Sequence, residues 1–262
     1  MDLDLGGRHA LVCGASEGIG RAAANELALL GASVTVLARR ESALREVVLA
    51  LPCPREGQSH DRVVADMDDS EALSAAVAEL TQRSPVHIVV NNTAGPPGGP
   101  AHSAAPDAYL ATFRRHLIGG QTILQAVLPG MKAAGFGRWV NVISTSVKEP
   151  IANLGVSNTV RGAVASWAKT LASELAPYGI TVNSVLPGFT DTGRLASLIA
   201  ANATSSGRSE EAVAEGMRAS VPAGRFGLPH EIAAAIAFLC SPAAAYINGV
   251  AMAVDGGRTR AL

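Results

Sequence analysis

The sequence has 262 residues, of which 48% are hydrophobic and 16% charged, and its formal net charge is −1. Such a chain can bury a large core, and its charge gives no reason to expect nucleic acid or a membrane surface as a partner. Cys13, Cys53 and Cys240 lack metal-type spacing, which predicts no metal site and reduced thiols in a cytoplasmic protein. The acidic N-terminus and the short apolar runs predict neither a signal peptide nor a membrane span.

Short apolar runs alternate along the chain with longer segments of helical periodicity. The runs are rich in Val and Ile and nearly continuous, as is typical of strands buried on both faces of a parallel sheet. In chain order they are HALVCG, SVTVLA, DRVVA, VHIVVNN, GRWVNVIS, GITVNSVLPG and GVAMAVDGG. Helices are predicted at about 18–30, 41–51, 70–83, 107–133, 157–178 and 229–240. The alternation predicts one α/β domain with a doubly wound parallel sheet, and an irregular insertion at about 191–228 is a candidate substrate-covering segment.

A glycine-rich turn follows the first strand and leads directly into a helix. Gly14, Gly18 and Gly20 allow a tight turn that brings backbone N–H groups and a helix N-terminus against a pyrophosphate. About 20 residues later, where NAD-binding sites place a carboxylate, the sequence has Ala38 followed by Arg39 and Arg40. Two arginines suit a 2′-phosphate, so the pattern favours NADP(H) over NAD(H); the alternative is a solvated pair of loop arginines.

The segment LGVSNTVRGAV places Ser157 and Arg161 four residues apart, on the same side of a predicted helix. One interpretation is an N-cap serine with a solvated arginine. The other is a pair of functional side chains directed at a common site.

Taken together, these motifs resemble the short-chain dehydrogenase/reductase family, and most closely its β-ketoacyl-ACP reductase-like branch. The resemblance covers essentially the whole chain. It rests on the GxxxGIG turn, Asn91-Asn92-Thr93-Ala94-Gly95 after the fourth strand, Ser144 after the fifth, the WAKTLASELAPYGITVN segment, Pro187-Gly188 with Thr192, and Val254-Asp255-Gly256-Gly257. It implies a Rossmann-type domain with a seven-stranded parallel sheet, a homotetramer or dimer, and hydride transfer between a nicotinamide cofactor and a carbonyl or alcohol.

The resemblance also implies which residues bind the cofactor. Those at the adenosine and phosphate end are Gly14, Ser16, Glu17, Gly18, Ile19, Gly20, Arg39, Arg40, Asp66 and Met67. Those at the ribose and nicotinamide end are Asn92, Ala94, Gly95, Arg161, Pro187, Gly188 and Thr192. Asp66 has an alternative interpretation as a turn residue, and Thr192 as an ordinary loop hydroxyl.

The catalytic positions depart from the family pattern of Asn, Ser, Tyr and Lys. An ungapped match puts Ser157 in the tyrosine position, Arg161 in the lysine position and His116 in the asparagine position, while Ser144 is retained. Cys13 replaces the usual Thr, and Thr93 is inserted in the usual NNAG. A serine hydroxyl is shorter and much less acidic than a phenol, and an arginine cannot relay a proton.

Two other side chains are candidates for the proton donor. Lys148 lies four residues after Ser144, where the family's cleft opens, and it would act as the acid if desolvation lowered its pKa. His116 titrates near neutrality, although its position lies behind the cofactor ribose. The alternatives are an exposed loop lysine and a buried structural histidine. For Ser144, predicted to stabilise the substrate oxygen, the alternative is a strand-end serine.

Three functional hypotheses follow. The first is an NADP(H)-dependent oxidoreductase acting on a carbonyl or secondary alcohol of a small molecule, with a non-standard proton donor. The second is a non-redox enzyme on the same scaffold: a lyase, isomerase or dehydratase. The third is a catalytically inactive NADP(H)-binding protein.

Overall fold

The computed structural model describes residues 1–261 and contains one seven-stranded parallel sheet with helices on both faces. The strands are β1 His9–Cys13, β2 Ser33–Ala38, β3 His60–Val64, β4 Ile88–Asn92, β5 Gly137–Val142, β6 Ile180–Pro187 and β7 Ala251–Val254. Their order across the sheet is β3-β2-β1-β4-β5-β6-β7, so the direction of winding reverses between β1 and β4. All seven predicted strands and the Rossmann-type fold are confirmed.

Nine α-helices connect these strands within the described residues. They are α1 Gly18–Leu29, α2 Glu41–Ala50, α3 Ser70–Arg83, α4 Pro106–Phe113, α5 Gly119–Ala134, α6 Gly155–Leu175, α7 Gly193–Ser206, α8 Glu210–Ala219 and α9 Pro229–Cys240. Of these helices, none is both long enough and apolar enough to span a lipid bilayer.

Alternate residues of the central strands supply two separate cores, because neighbouring side chains point to opposite faces of a sheet. Ala10 and Val12 of β1 pack with α1, α2 and α9, whereas Leu11 and Cys13 pack with α3, α5 and α6. Burial on both faces explains why the central strands are nearly continuous apolar runs, whereas the edge strands β3 and β7 are partly exposed.

Three predicted details need correction. The insertion at about 191–228 is not irregular, because its small, alanine-rich residues form α7 and α8. The helix predicted at about 107–133 contains a π-helical turn, Arg114–Ile118, between α4 and α5. The helix predicted from residue 157 begins at Gly155 after Leu154, so Ser157 lies inside the first turn and is not an N-cap.

Candidate active site

A cleft of about 430 Å³ runs along the carboxyl-terminal edge of the sheet. One end lies beside β2 and β3, where Arg39 and Asp66 line it, and the other lies beside β5 and β6, where Ser144 and Pro187 line it. In open α/β sheets a ligand site is expected at the carboxyl ends of the strands, where the winding reverses. The cleft crosses that point at the glycine-rich turn.

The turn between β1 and α1 requires glycine for steric reasons. A Cβ on Gly14 would lie 2.6 Å from the Asn92 carbonyl oxygen, and one on Gly20 would lie 2.3 Å from the Gly14 carbonyl oxygen. Gly18 has φ +56° and faces the Thr192 side chain, so the N-termini of α1 and α7 approach each other. Since helix N-termini attract anions, the turn fits a pyrophosphate.

Predicted cofactor residues from distant segments meet in this cleft. The residues that line it are Gly14, Ser16, Glu17, Gly18, Ile19, Arg39, Arg40, Asp66, Met67, Asn92, Ala94, Gly95, Arg161, Pro187, Gly188 and Thr192. Gly20 lies just behind the turn, against Gly14. The Asn92 amide donates to the carbonyl oxygens of Cys13 and Gly14, which ties β4 to the turn.

The adenosine end contains paired charges. Arg40 lies 2.6 Å from a Glu17 carboxylate oxygen, and Arg39 lies 3.8 Å from an Asp66 oxygen. Both arginines are largely exposed, so these surface pairs add little stability and leave the guanidinium groups free to engage another anion.

Three of the predicted catalytic residues line the other end of the cleft: Ser144, Ser157 and Arg161. The Ser144 Oγ accepts a hydrogen bond from the Ser146 N–H at 3.1 Å, so its own hydrogen stays available to a ligand oxygen. Ser157 is buried in the first turn of α6. Two hydroxyl groups and one guanidinium therefore share the end of the cleft beside β5.

Arg161 is a buried cation whose only protein acceptor within residues 1–261 is a backbone carbonyl. It donates to the Val142 oxygen at 3.0 Å. Burial, with a contribution from the nearby Arg194, lowers the pKa of Arg161 to about 10. A buried cation without a carboxylate partner lowers the stability of the free protein. Such unpaired buried charges are typical of ligand-binding sites.

The structure keeps Lys148 and His116 out of the cleft lining. Lys148 is exposed in the turn that follows Ser144. His116 is buried in the π-helical turn, with its Nδ1 bonded to Thr93 Oγ1 and its Nε2 without a partner among the described residues. Burial, together with Arg161 and Arg115, lowers the pKa of His116 to about 2, so it is neutral at physiological pH.

Sequence reasoning missed part of the lining. Arg194, Leu195 and Leu198 come from α7, while Phe189, Thr190 and Arg258 complete the end of the cleft beside β6. Arg194 could have been predicted as a lining residue because it lies two residues after Thr192, which was assigned to the cofactor site. The chain's tyrosines, Tyr109, Tyr178 and Tyr246, do not line the cleft, so a displaced tyrosine does not replace the one expected at position 157.

Comparison with known proteins agrees with the fold. Residues 14–259 match the family model described as enoyl-(acyl carrier protein) reductase. The chain is also 34% identical over 258 residues to the 3-oxoacyl-acyl-carrier-protein reductase of Vibrio cholerae, covering 97% of this chain and 98% of that protein. The chain belongs to the short-chain dehydrogenase/reductase family.

Solved structures of the family place the same fold around NADPH. An actinorhodin polyketide ketoreductase variant with NADPH has a TM-score of 0.89 and 33% identity, covering 97% of each chain. L-sorbose reductase from Gluconobacter frateurii, complexed with NADPH and L-sorbose, has a TM-score of 0.92 and 28% identity, covering all of both chains. These comparisons confirm the predictions of an enzyme of an oxidoreductase family and of an NADP-type cofactor.

Proposed function

We propose that this protein is an NADP(H)-dependent oxidoreductase that interconverts a carbonyl group and a secondary alcohol on a small molecule. One observation carries the proposal: Ser144, Ser157 and Arg161 line the same cleft as the glycine-rich turn. Groups that polarise a carbonyl oxygen therefore share a site with the elements that suit a dinucleotide.

Different residues along the cleft bind different parts of NADP(H). The N-H groups of the turn and the N-terminus of α1 hold the pyrophosphate. Arg39 and Arg40 hold the 2′-phosphate, exchanging their exposed partners for a doubly charged one. The absence of a carboxylate at Ala38 removes the group that would favour NAD(H). Arg161 holds the ribose hydroxyls with its free N–H groups.

When bound, NADP(H) supplies or accepts the hydride. The Ser144 and Ser157 hydroxyls donate hydrogen bonds to the substrate carbonyl oxygen, and the charge of Arg161 stabilises the negative charge that develops there. Ser157 passes its proton to that oxygen and is reprotonated from solvent, which supplies the one proton that carbonyl reduction consumes overall. Because a serine hydroxyl is far less acidic than a phenol, proton transfer limits the rate.

The segment at 191–228 is proposed to cover the substrate. Its helix α7 contributes Arg194, Leu195 and Leu198 to the lining of the cleft, which Phe189 also lines. The apolar and cationic side chains of α7 therefore select the substrate, while the sheet edge selects the cofactor. We further propose a cytoplasmic homo-oligomer, a tetramer or dimer, in keeping with the family resemblance.

The test is titration of the purified protein with NADPH, followed by turnover over a panel of ketones and secondary alcohols. We expect saturable NADPH binding, weaker binding of NADH, and turnover that Ser144→Ala and Ser157→Ala each reduce. NADPH binding without turnover of any substrate would favour a non-redox or inactive protein. Loss of activity in Lys148→Ala, with both serine variants active, would move the proton donor to Lys148.

A further inference from the structure

The arginines of the cleft fall into two groups that differ in their partners. At the adenosine end, Arg39, Arg40 and Arg115 each pair with a carboxylate, from Asp66, Glu17 and Asp68 respectively. Toward the substrate end, Arg161, Arg194 and Arg258 form no ion pair within the described part of the chain. In the protein without a ligand, the guanidinium groups at the adenosine end therefore have carboxylate partners, whereas those toward the substrate end have none within the described residues.

The acids that line the described cleft do not correct this imbalance. They are Glu17 and Asp66, both at the adenosine end and both already paired. Nearer the substrate end, the Asp255 carboxylate accepts from the backbone N–H groups of Gly257 and Thr259. Glu149 likewise accepts from the N–H groups of Arg260 and Ala261. The local acids are thus engaged with the backbone of the C-terminal segment.

Two of the unpaired guanidinium groups, those of Arg161 and Arg194, approach the same position beside Gly95. The Nη2 atoms of Arg161 and Arg194 each lie 3.5 Å from the position that a Cβ on Gly95 would occupy. Arg194 donates to the Pro96 carbonyl oxygen at 2.6 Å, which holds its side chain across the cleft. Two cations directed at one point repel each other in the free protein, and an oxyanion between them would relieve that repulsion.

The third unpaired arginine lies beside the proposed reaction centre. Arg258 stacks over the Phe189 ring, 4.4 Å from its centroid, and its Nη1 lies 3.4 Å from Thr145 Oγ1. Thr145 follows Ser144 directly in the chain. A substrate whose carbonyl contacts Ser144 therefore lies close to Arg258, in the same cleft that Arg194 lines.

From this charge distribution we propose that the substrate is an anionic carbonyl compound or hydroxy compound, whose carboxylate or phosphate is attracted by the unpaired guanidinium groups of Arg194 and Arg258 in the cleft wall. The proposal rests on the proposed oxidoreductase function and narrows its substrate class. Arg161 adds positive charge to this region while it holds the ribose.

The first experiment compares matched substrates that differ in charge. The pairs are levulinate with methyl levulinate, and dihydroxyacetone phosphate with dihydroxyacetone. We expect kcat/KM to be higher for at least one anion than for its neutral partner, with an advantage that falls as salt is added. Equal values within both pairs would overturn the proposal.

The second experiment uses Arg194→Gln and Arg258→Gln, with Arg208→Gln as the matched control. Arg208 lies on the same covering segment, but its side chain bonds to the Ala212 carbonyl oxygen outside the cleft. Losing a charged hydrogen bond should raise KM for the preferred anion by about 10- to 100-fold, and by a clearly smaller factor for its neutral partner. Arg194→Lys should recover part of the loss, and Arg208→Gln should match the unaltered protein.

The alternative to a substrate anion at Arg194 is a phosphate group of the cofactor. If Arg194→Gln weakens NADPH binding by the same factor as it raises KM, the oxyanion belongs to the cofactor and the proposal fails. If no substrate turns over, binding of levulinate and dihydroxyacetone phosphate to the protein–NADP⁺ complex is measured by calorimetry. Binding that Arg194→Gln and Arg258→Gln abolish would support the anion site although the oxidoreductase function had failed; no binding would overturn both.

Discussion

At the scale of single residues, Arg161 is the side chain whose environment departs most from that of a surface arginine. It is buried, it has a carbonyl oxygen as its protein acceptor, and a second arginine lies nearby. Such an arrangement lowers the stability of the free protein and is retained where it serves ligand binding.

Replacing Arg161 should therefore have opposite effects on the stability of the free protein and on its affinity for NADPH. We expect Arg161→Met to raise the free energy of unfolding of the free protein by about 1–2 kcal/mol, because it removes a buried charge at the cost of one hydrogen bond. NADPH affinity should fall by about tenfold or more. Chemical denaturation and fluorescence titration measure the two quantities. A variant that is both less stable and equally tight in binding would contradict this account.

The serine at position 157 limits the proposed chemistry. Because a phenol is a much better acid, the double variant Ser157→Tyr with Arg161→Lys should raise kcat, by up to about 100-fold, on a carbonyl substrate. Ser157→Phe with Arg161→Lys is the control, since it fills the same space without a hydroxyl. Equal kcat for the two double variants would show that acidity at this position does not limit the rate.

At the scale of elements, helix α6 places Ser157 and Arg161, and its start is fixed by contact with the loop after β4. Gly155 donates to the Gly99 carbonyl oxygen at 2.9 Å, and Gly99 donates to the Asn153 oxygen at 2.7 Å. A Cβ on Gly155 would lie 2.4 Å from the backbone nitrogen and Cα of Ala101. The first turn of α6 can therefore sit where it does only with glycine at 155.

Two glycines of α6 provide a matched test. We expect Gly155→Ala to shift the first turn, lower the free energy of unfolding by about 1–3 kcal/mol, and reduce activity more than stability alone explains. Gly162→Ala meets no atom within 4 Å, so it should stabilise the protein by up to about 1 kcal/mol and keep activity. Thermal denaturation and kcat/KM check both variants. Similar effects of the two changes would contradict the steric argument.

At the scale of the whole molecule, the fold disfavours the protonated form of three buried or partly buried histidines. Burial lowers the pKa values of His9, His87 and His116, the last to about 2. In the unfolded chain these groups bind protons below about pH 6.5, whereas the folded protein resists protonation. The stability that they provide is fully present above about pH 6.5 and is lost as the pH falls toward the folded pKa values.

The pH dependence of unfolding should show this effect. Between pH 6.5 and 5.5, His116 alone should remove about 1 kcal/mol from the free energy of unfolding, with His9 and His87 adding to the loss. His116→Asn should make the dependence shallower by about one proton. Denaturant titrations over this pH range give the slopes. Identical slopes for His116→Asn and the unaltered protein would contradict a neutral buried His116.

The sequence by itself determined the strand order along the chain, the doubly wound fold and the phosphate turn. These depend on local composition: apolar runs buried on both faces, and glycines where no Cβ fits. Its resemblance to the family also implied many of the residues that line the cleft. Parallel strands bring these residues together because their carboxyl ends lie at one edge of the sheet. Only the tertiary structure decided that Lys148 does not line the cleft, that α6 begins at Gly155, and that Arg194 reaches Gly95 and Pro96. These outcomes depend on contacts between segments far apart in the chain, and short-range periodicity does not predict such contacts.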